Sequence, residues 1–291
     1  MNRPLDAATQ QPHIAIEDLQ TELDGVRWRY RRAGSGPAVL LVHGLRGYSF
    51  SWRHTIPVLA RQATVYAVDL PGAGFSDRPA GMDCSQRARA ARLLRFMDGV
   101  GLASCDLLGT SHGGALAMTV AALAPERVRS LILVAPVNPW SAHGKLLSLF
   151  LTSPPIGPLF LHAMPHLQIL HDFYFRRLYG DTRRIRPGTR EGYLAPMQRA
   201  GSFEYVLGVL RSWNRDLKEL ESLLPGIAHI PTLLIWGSLD AAVNPASAYQ
   251  LQKRFRDCHL LMMKGVGHLP YEETPEEFNR AVTEFLFADN R

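Results

Sequence analysis

The sequence predicts an α/β fold in which a mostly parallel β-sheet is flanked by helices and carries one helical insertion. Short apolar runs alternate with helical patterns along most of the chain, and continuous apolar runs are typical of parallel strands covered on both faces. The runs span residues 38–44, 63–70, 105–109, 130–137, 232–237 and 259–264, with helical stretches at 85–99, 111–124 and 245–256. This alternation is that of an α/β sheet.

The first predicted strand, residues 26–32, has a different pattern. Val26, Trp28 and Tyr30 alternate with arginines in VRWRYRR. One face is therefore apolar and the other polar, which is typical of an antiparallel strand with one solvent-facing side.

Residues 138–224 interrupt the alternation. They contain helix-like segments separated by SPPIGP, YGD and RPGT, and the strand pattern resumes at 231. We predict a helical insertion at 138–224 that lies over the sheet as a cap, and a core formed by residues 1–137 and 225–291.

The last helix is predicted to begin at the sequence TPEE. Thr274 would be the N-cap of a capping box, Pro275 suits the first helical turn, and Glu277 could bond back to the N-cap amide.

The composition indicates a globular protein with a substantial core. Of the 291 residues, 46% are hydrophobic and 20% charged, which excludes a largely disordered chain. The N-terminal segment has no apolar signal-peptide core, and no run of eighteen apolar residues occurs, so we expect a soluble cytoplasmic protein without stable membrane insertion.

Cys84, Cys105 and Cys258 are too few and too scattered for a disulfide framework, so we expect reduced thiols.

The net charge of +6 raises the question of an anionic partner. The basic residues are mostly interspersed with acidic ones, and no aromatic and basic nucleic-acid signature accompanies them. We therefore expect a small-molecule partner rather than a nucleic acid, and a monomer or homodimer.

Ser111 lies in the sequence GTSHGG, directly after an apolar run and before an alanine-rich helical pattern. A turn this sharp pushes its central residue toward strained backbone angles, and Gly109 and Gly113 leave the space that side chains would fill. The serine hydroxyl is therefore predicted to be exposed at the carboxyl edge of the sheet.

A serine hydroxyl needs a base and a group that orients the base in order to act as a nucleophile. Asp240 and His268 each follow a predicted strand by a few residues, and the order Ser, Asp, His matches the nucleophile-elbow pattern. The other histidine after Asp240, His259, is predicted to lie in or at the start of a buried strand. We therefore predict a triad of Ser111, Asp240 and His268. The alternatives are a plain loop histidine and a helix-capping aspartate.

The tetrahedral intermediate of such a reaction needs hydrogen-bond donors for its oxyanion. We predict the backbone N–H groups of His112, which follows the serine, and of Leu45, which follows Gly44 in the loop after an early strand. We interpret His43 as a buried histidine that holds this loop by hydrogen bonds, and the His112 side chain as a packing group.

His162 and His166 are four residues apart, a spacing that could place two metal ligands on one helix face. Pro165 would disturb such a helix, and no HExxH glutamate is present. We expect no metal and no cofactor.

Five motifs together resemble the α/β-hydrolase fold family, in its cap-bearing branch of esterases, epoxide hydrolases and meta-cleavage hydrolases. They are HGLRGYSFSW, DLPGAGFSD, GTSHGG, WGSLDAAVNP and GVGHLPYEETPEEF, and the resemblance covers roughly residues 25 to 287. It implies an eight-stranded sheet, Ser111, Asp240 and His268 as the triad, and a cap inserted after the sixth strand.

Departures from the subfamilies narrow the expected chemistry. Epoxide hydrolases and haloalkane dehalogenases have aspartate where this chain has Ser111. Meta-cleavage hydrolases typically have tryptophan directly after the catalytic histidine, where this chain has Leu269. Proline iminopeptidases have a glycine-proline-glycine that HGLRG lacks.

The cap is predicted to choose the substrate. Its bulky residues either pack the core of the cap or line an apolar pocket. The candidate pocket residues, with the residue after the histidine, are Trp140, Phe150, Phe160, Phe173, Tyr193, Trp213 and Leu269. Six arginines between Arg176 and Arg190 form either a solvated face or a docking site for an anionic part of the substrate.

We therefore expect a serine hydrolase that cleaves a carboxylic ester of a small or medium hydrophobic acid through an acyl-enzyme. Carbon–carbon bond hydrolysis of the meta-cleavage type, thioester hydrolysis and cofactor-free perhydrolysis would use the same triad. A non-enzymatic alternative is a ligand receptor on the same fold.

Overall fold

The computed structural model describes residues 14–141 and 145–288, so residues 1–13, 142–144 and 289–291 of the predicted core and cap lie outside it. It contains an eight-stranded sheet in the order β1-β2-β4-β3-β5-β6-β7-β8, in which β1 and β2 are antiparallel to their neighbours and the others are parallel. The strands are β1 (Ile16–Leu23), β2 (Val26–Ala33), β3 (Ala38–Val42), β4 (Thr64–Val68), β5 (Cys105–Thr110), β6 (Val128–Val134), β7 (Thr232–Gly237) and β8 (Cys258–Met263). The predicted fold class is confirmed.

The helices cover both faces of the sheet. They are α1 (Ile56–Leu59), α2 (Gln86–Gly99), α3 (His112–Leu123), α4 (Lys145–Thr152), α5 (Ile156–Ala163), α6 (Gln168–Arg176), α7 (Thr189–Leu194), α8 (Ser202–Ile227), α9 (Ala246–Gln252), α10 (Pro270–Glu273) and α11 (Pro275–Phe287). One core, around Phe96 and Leu116, packs α2 and α3 against the sheet, and a second, around Trp52 and Phe278, fills the other face. Strands β5 and β7 are buried along their whole length, which explains their continuous apolar runs.

The two edge strands differ from the sequence predictions. Strand β1 was not predicted, because most of its residues are exposed and its sequence, IEDLQTEL, has no regular apolar alternation. Strand β8 was predicted to be buried, but as an edge strand it is only partly covered. His259 lies within it, with 76% of its side chain exposed, so the prediction of a buried position for this histidine is wrong.

The insertion between β6 and β7 is helical, as predicted, and contains α4 to α8. Its last helix, α8, runs to Ile227, so the predicted limit at residue 224 falls inside one continuous helix. Leu217, Leu220 and Leu224 of α8 belong to the same core as α3. The cap is thus anchored in the main core by its own last helix.

The capping box predicted at Thr274 does not form. Thr274 is the N-cap residue and Pro275 is the first residue of α11, but the threonine side chain accepts no capping hydrogen bond. Its backbone N–H donates to the carbonyl of Pro270 at 3.0 Å, because α10 ends directly before α11. That N–H is therefore already paired and has no need of Glu277.

A partly buried ion pair joins three parts of the chain near the carboxyl edge of the sheet. Arg53 donates to Glu272 at 2.5 and 2.7 Å and also to the hydroxyl of Thr189 at 2.9 Å. The hydroxyl of Tyr193 donates to Glu272 at 2.7 Å. Since Glu272 lies in α10 and Thr189 and Tyr193 lie in α7, the pair ties the cap to the core.

Within residues 14–141 and 145–288, no helix combines the length and the apolar character that a membrane crossing requires.

We predict that Arg53→Met will lower the free energy of unfolding by about 3 kcal/mol, because it leaves the buried Glu272 carboxylate without its cation. Urea unfolding followed by circular dichroism measures the change. The matched control is Arg27→Met, which removes an exposed ion pair to Asp77 at 2.9 Å and should cost at most about 1 kcal/mol. Equal losses in the two variants would contradict the structural role of Arg53.

Candidate active site

Ser111 lies in a strained turn between β5 and α3. Its φ of 53° and ψ of −121° fall in a region that residues with a side chain rarely adopt. A Cβ atom on Gly109 would lie 2.3 Å from the Gly113 carbonyl oxygen, and one on Gly113 would lie 2.3 Å from the His43 carbonyl oxygen. Both positions therefore require glycine, for the reason that the sequence indicates.

Asp240 and His268 form a buried pair at the carboxyl ends of β7 and β8. The His268 Nδ1 atom lies 2.8 Å from Asp240 Oδ2, and the side chains are 6% and 0% exposed. The other carboxylate oxygen of Asp240 accepts the N–H groups of Ala242 and Val243 at 2.8 and 2.9 Å. When Nδ1 of a neutral imidazole donates to the carboxylate, Nε2 carries the lone pair and can accept a proton.

The alternative role for Asp240, capping the next helix, is not what the structure shows. The N–H of Ala246, the first residue of α9, donates to Asn244 Oδ1 at 3.0 Å. Asp240 bonds instead to its own turn and to His268. Ser111 lies at the same edge of the sheet, since β5, β7 and β8 are parallel.

The loop that carries His268 is held by the cap. The His268 N–H donates to the Leu178 carbonyl at 2.7 Å, and the N–H groups of Gly267 and Gly180 donate to Glu273 Oε1 at 2.6 and 2.9 Å. A Cβ atom on Gly267 would lie 2.5 Å from the Gly180 nitrogen, so the two backbones are in direct contact. This support has no signal in the sequence, because the contact joins segments about ninety residues apart.

The loop after β3 passes directly against the serine. A Cβ atom on Gly44 would lie 3.1 Å from Ser111 Cβ and 3.7 Å from its hydroxyl oxygen. Leu45 is the next residue of this loop, and His112 is the first residue of α3, whose N–H has no carbonyl to bond within the helix. Both predicted oxyanion donors thus lie in segments that adjoin Ser111, and their role stays a prediction.

His43 holds this loop in place. Its Nδ1 atom lies 2.8 Å from the Gly44 carbonyl oxygen, and the N–H of Leu70 donates to its Nε2 at 3.1 Å. Burial lowers the pKa of His43 to about 4, so the ring is neutral at physiological pH. The interpretation of His43 as a buried residue that holds the loop by hydrogen bonds is confirmed.

The His112 side chain is buried against the cap. Its ring lies 4.3 Å from the ring of Trp213 in α8. Within the described residues, neither ring nitrogen of His112 has a hydrogen-bond partner, nor has Trp213 Nε1. Burial, and to a lesser degree the charge of Arg89, lowers the pKa of His112 well below its usual value.

Arg89 is a further residue near the candidate site that no sequence motif indicates. It lies on the buried face of α2, is only 4% exposed, and its Nε has no partner among the described residues. Its guanidinium carbon lies 5.7 Å from the centre of the Tyr205 ring of the cap. The sequence contains one signal for its burial, which is helical spacing. Arg89 lies four and seven residues before Leu93 and Phe96, so it shares the apolar face of α2 with them.

Two of the predicted pocket residues lie close to the predicted oxyanion segments. Trp213 contacts His112, and Phe160 belongs to a cluster with Phe203 that also includes Leu45. Phe150 and Phe173 are 58% and 57% exposed, so the structure places them on the outer surface of the cap and corrects their assignment to an enclosed pocket.

The remaining pocket candidates have structural partners. Tyr193 is buried and donates to Glu272, and Leu269 packs in the core on the Trp52 side of the sheet. Trp140 packs against the other core, and the Arg254 guanidinium lies 4.7 Å from the centre of its ring. The sequence pattern identified these residues as bulky and apolar. The structure packs Tyr193 and Leu269 on one face of the sheet and Trp140 on the other, so they do not line one shared pocket.

The arginines between 176 and 190 mostly pair with acidic residues of the same chain. The ion pairs join Arg176 and Arg190 to Asp172, Arg183 to Asp181, Arg184 to Glu273 and Arg186 to Glu276. Arg177 lies over the Phe173 ring at 5.9 Å. Because these pairs engage the guanidinium groups within the chain, the observed contacts favour a surface network over a docking site.

The predicted break between His162 and His166 is present. Helix α5 ends at Ala163, and Pro165 lies in the short 3₁₀ turn that follows. The two imidazole rings are 6.3 Å apart.

Comparisons with known proteins agree with this architecture. Residues 37–157 match the model of the α/β hydrolase fold, and residues 213–290 match that of TAP-like proteins. The dihydrolipoyllysine-residue acetyltransferase component of the acetoin cleaving system of Pseudomonas putida is 29% identical over 90% of this chain, which spans 66% of that relative. The 2-hydroxy-6-oxo-2,4-heptadienoate hydrolase of Pseudomonas putida is 27% identical over 91% of this chain and 95% of its own length.

A solved structure has the same fold. Cfl2 from Burkholderia cenocepacia superposes with a TM-score of 0.81, at 22% identity, over 94% of this chain and 96% of its own. The chain spans just under two thirds of the acetyltransferase component, so the activity of that whole protein does not transfer to it directly.

We predict that His112→Met will reduce the acid sensitivity of the fold. The pKa of His112 is lowered in the folded state, whereas an unfolded histidine has a pKa near 6.5. Stability is therefore present above about pH 6.5 and is lost as the pH falls, by about 2 kcal/mol at pH 5 for one such histidine.

Urea unfolding at pH 7 and pH 5 measures this difference. The variant should lose about 2 kcal/mol less than the unaltered protein over this interval. The same loss in both proteins would show that His112 is not held neutral by burial.

Proposed function

We propose that this chain, which belongs to the α/β-hydrolase fold family, is a serine hydrolase that cleaves a carboxylic ester of a small or medium hydrophobic acid. The observation that carries the proposal is the 2.8 Å contact between His268 Nδ1 and Asp240 Oδ2 at the sheet edge where Ser111 has its strained backbone. This pairing leaves a basic Nε2 at the edge that carries the serine hydroxyl.

The reaction would proceed in two halves. His268 Nε2 accepts the proton of Ser111 Oγ as the oxygen attacks the ester carbonyl, and the backbone N–H groups of His112 and Leu45 hold the resulting oxyanion. His268 then gives the proton to the departing alkoxide, and the alcohol leaves. Water, deprotonated by His268, attacks the acyl-enzyme and releases the acid and the serine.

Asp240 is proposed to act through His268. Its carboxylate holds the Nδ1 proton, and two backbone N–H groups at 2.8 and 2.9 Å fix the carboxylate itself. The aspartate therefore keeps the histidine in the tautomer and orientation that the reaction needs, and stabilises the imidazolium that forms.

The acyl group would meet apolar side chains of the cap. Met197, Phe203 and Val206 form a small cluster against which Leu45 and Phe160 pack. Since Leu45 belongs to the proposed oxyanion segment, an apolar acyl chain would extend from the serine toward this cluster. The limited size of the cluster favours a short or medium chain.

Carbon–carbon bond hydrolysis of the meta-cleavage type is the second candidate. One relative of nearly equal length carries the name of a heptadienoate hydrolase. The ring nitrogens of His112 and Trp213 and the Nε of Arg89, which have no partner among the described residues, would suit a substrate richer in hydrogen-bond acceptors than a simple ester. Leu269, in the place where such enzymes typically have tryptophan, favours the ester.

Thioester hydrolysis and cofactor-free perhydrolysis would use the same triad, and a ligand receptor could retain it. We propose a cytoplasmic enzyme, monomeric or homodimeric, that needs no cofactor.

We predict that Ser111→Ala and His268→Ala will each lower kcat by about 10⁴ to 10⁶, because members of a triad act as a unit, and that Asp240→Asn will lower it somewhat less. Hydrolysis of 4-nitrophenyl esters by the folded variants measures the loss. The matched control is Ser222→Ala, an exposed serine of α8.

Labelling by a fluorophosphonate separates an enzyme from a receptor. The unaltered protein should be labelled at Ser111 and should also turn over esters many times. Labelling without turnover on any ester, thioester or vinylogous diketone would favour the receptor and contradict the proposal.

We predict that kcat/KM will rise by up to about fourfold for each added acyl carbon that is buried, since one methylene contributes about 0.8 kcal/mol. The rise should stop at a short or medium chain, when the acyl group extends past the cluster around Phe203 and further carbons are no longer buried. A series of aryl esters of increasing acyl length measures it, beside a vinylogous diketone. A diketone rate that exceeds every ester rate would favour carbon–carbon hydrolysis instead.

A further inference from the structure

The outer surface of the cap is apolar to an unusual degree. Most of the large hydrophobic side chains that the described residues expose to solvent lie on α4, α5, α6 and the turn between the last two. These residues, named here the cap surface, are Leu146, Leu149, Phe150, Leu159, Leu167, Ile169, Leu170, Phe173 and Tyr174. Helix α4 packs beside α5, and α5 packs beside the turn before α6. Exposed apolar side chains gathered on neighbouring elements mark an interaction site more often than they mark ordinary monomer surface.

The apolar residues follow the helical repeat on the outward faces. In α4, Leu146, Leu149 and Phe150 are 83%, 60% and 58% exposed, at positions i, i+3 and i+4. A surface helix of a soluble domain normally presents polar residues on this face. The exposure is therefore a property of a whole helix face rather than of single side chains.

Helix α6 has the same arrangement. Ile169 is 88% exposed, and Phe173 and Tyr174 are 57% and 47% exposed one turn further on. The opposite face of α6 is buried, with His171 and Phe175 pointing into the protein. Helix α6 is thus packed inward by one set of side chains and presents a second apolar set to solvent.

Basic residues outnumber acidic ones in the segment that carries the cap surface. Between residues 145 and 177 the only acidic residue is Asp172, against Lys145, Arg176 and Arg177. Asp172 is neutralised within the chain, because Arg176 and Arg190 donate to its two oxygens at 2.9 and 2.7 Å. The surface therefore combines apolar residues, aromatic residues and net positive charge.

This combination of properties distinguishes between two candidate binding partners, a second copy of the chain and a lipid surface. A second copy of the chain would bring two positively charged surfaces together, which costs free energy. Arg176, Arg177 and Arg190 together outnumber the carboxylates of Asp172 and Glu191 that lie beside them, so a net positive charge remains despite the ion pairs. An anionic lipid surface attracts this net charge and accepts the apolar and aromatic side chains at the boundary between headgroups and acyl chains. We propose that the cap surface binds peripherally to anionic lipid bilayers, without any helix crossing them.

The test uses sedimentation of the full chain with vesicles. With vesicles of phosphatidylcholine containing about one third phosphatidylglycerol, the bound fraction at low salt should exceed that with phosphatidylcholine alone by at least about fivefold. High salt should weaken the binding, because the electrostatic part is screened. Absence of binding to the anionic vesicles at low salt would overturn the proposal.

The variants Ile169→Glu and Leu146→Glu assign the binding to the cap surface. Each places a negative charge on the apolar face and should weaken anionic-vesicle binding by at least about tenfold. The matched control is Tyr249→Glu on α9, where an aromatic residue is 53% exposed on another part of the protein. This control should bind about as strongly as the unaltered protein.

Two readouts keep the result independent of the enzymatic proposal. Circular dichroism and hydrolysis of a water-soluble ester report folding of the two cap variants, and Ser111→Ala should bind vesicles normally. Equal vesicle binding by the cap variants and the control would overturn the proposal. Sedimentation velocity that shows a dimer lost in Ile169→Glu, without vesicle binding, would identify a second copy as the occupant and would also overturn it.

Discussion

The candidate site depends on one close approach of three backbone segments. The turn at Ser111 requires the start of α3 to lie against the loop after β3, and the contacts at Gly109 and Gly113 leave no room for a Cβ atom. Holding a residue with a side chain at a positive φ costs about 1 to 3 kcal/mol, which surrounding structure must offset. That structure is the interior of the sheet, where β5 and most of α3 are completely buried. The strain at the serine is therefore stabilised by the best-packed part of the protein.

The remaining parts of the site follow from the topology of the sheet and from the cap. Parallel strands end at one edge, so the loops after β3, β5, β7 and β8 bring Leu45, Ser111, Asp240 and His268 to it. The histidine loop is the least supported of these, because β8 is an edge strand. The cap compensates, because its Leu178 carbonyl accepts the His268 N–H and its Gly180 shares the buried carboxylate of Glu273 in α10 with Gly267 of that loop. The cap is thus a structural support of the candidate base as well as a cover.

Sequence patterns predicted the buried strands and the strand-end residues because these depend on local burial and chain order. They failed where a tertiary contact decides. Strand β1 forms because β2 offers it a partner, although its own residues are mostly exposed. The capping box at Thr274 is displaced by the preceding helix α10. Phe150 and Phe173 have the composition of pocket residues, but periodicity identifies a helix face without identifying what covers it.

Both sides of the cap carry side chains that do not stabilise an isolated helical domain, and the attachment of the cap to the core explains its stability. Toward the site, it buries Trp213 against His112, where the ring nitrogens of both residues have no hydrogen-bond partner among the described residues. Toward solvent, α4 and α6 expose apolar side chains. Neither arrangement stabilises an isolated helical domain. Two attachments supply the stability that the outer helices lack. The second half of α8 packs with α3 in the main core. Glu272 binds Arg53 of the core and accepts a hydrogen bond from Tyr193 of α7. Because the cap is held from the core side, its outer helices keep their places while presenting apolar side chains to solvent.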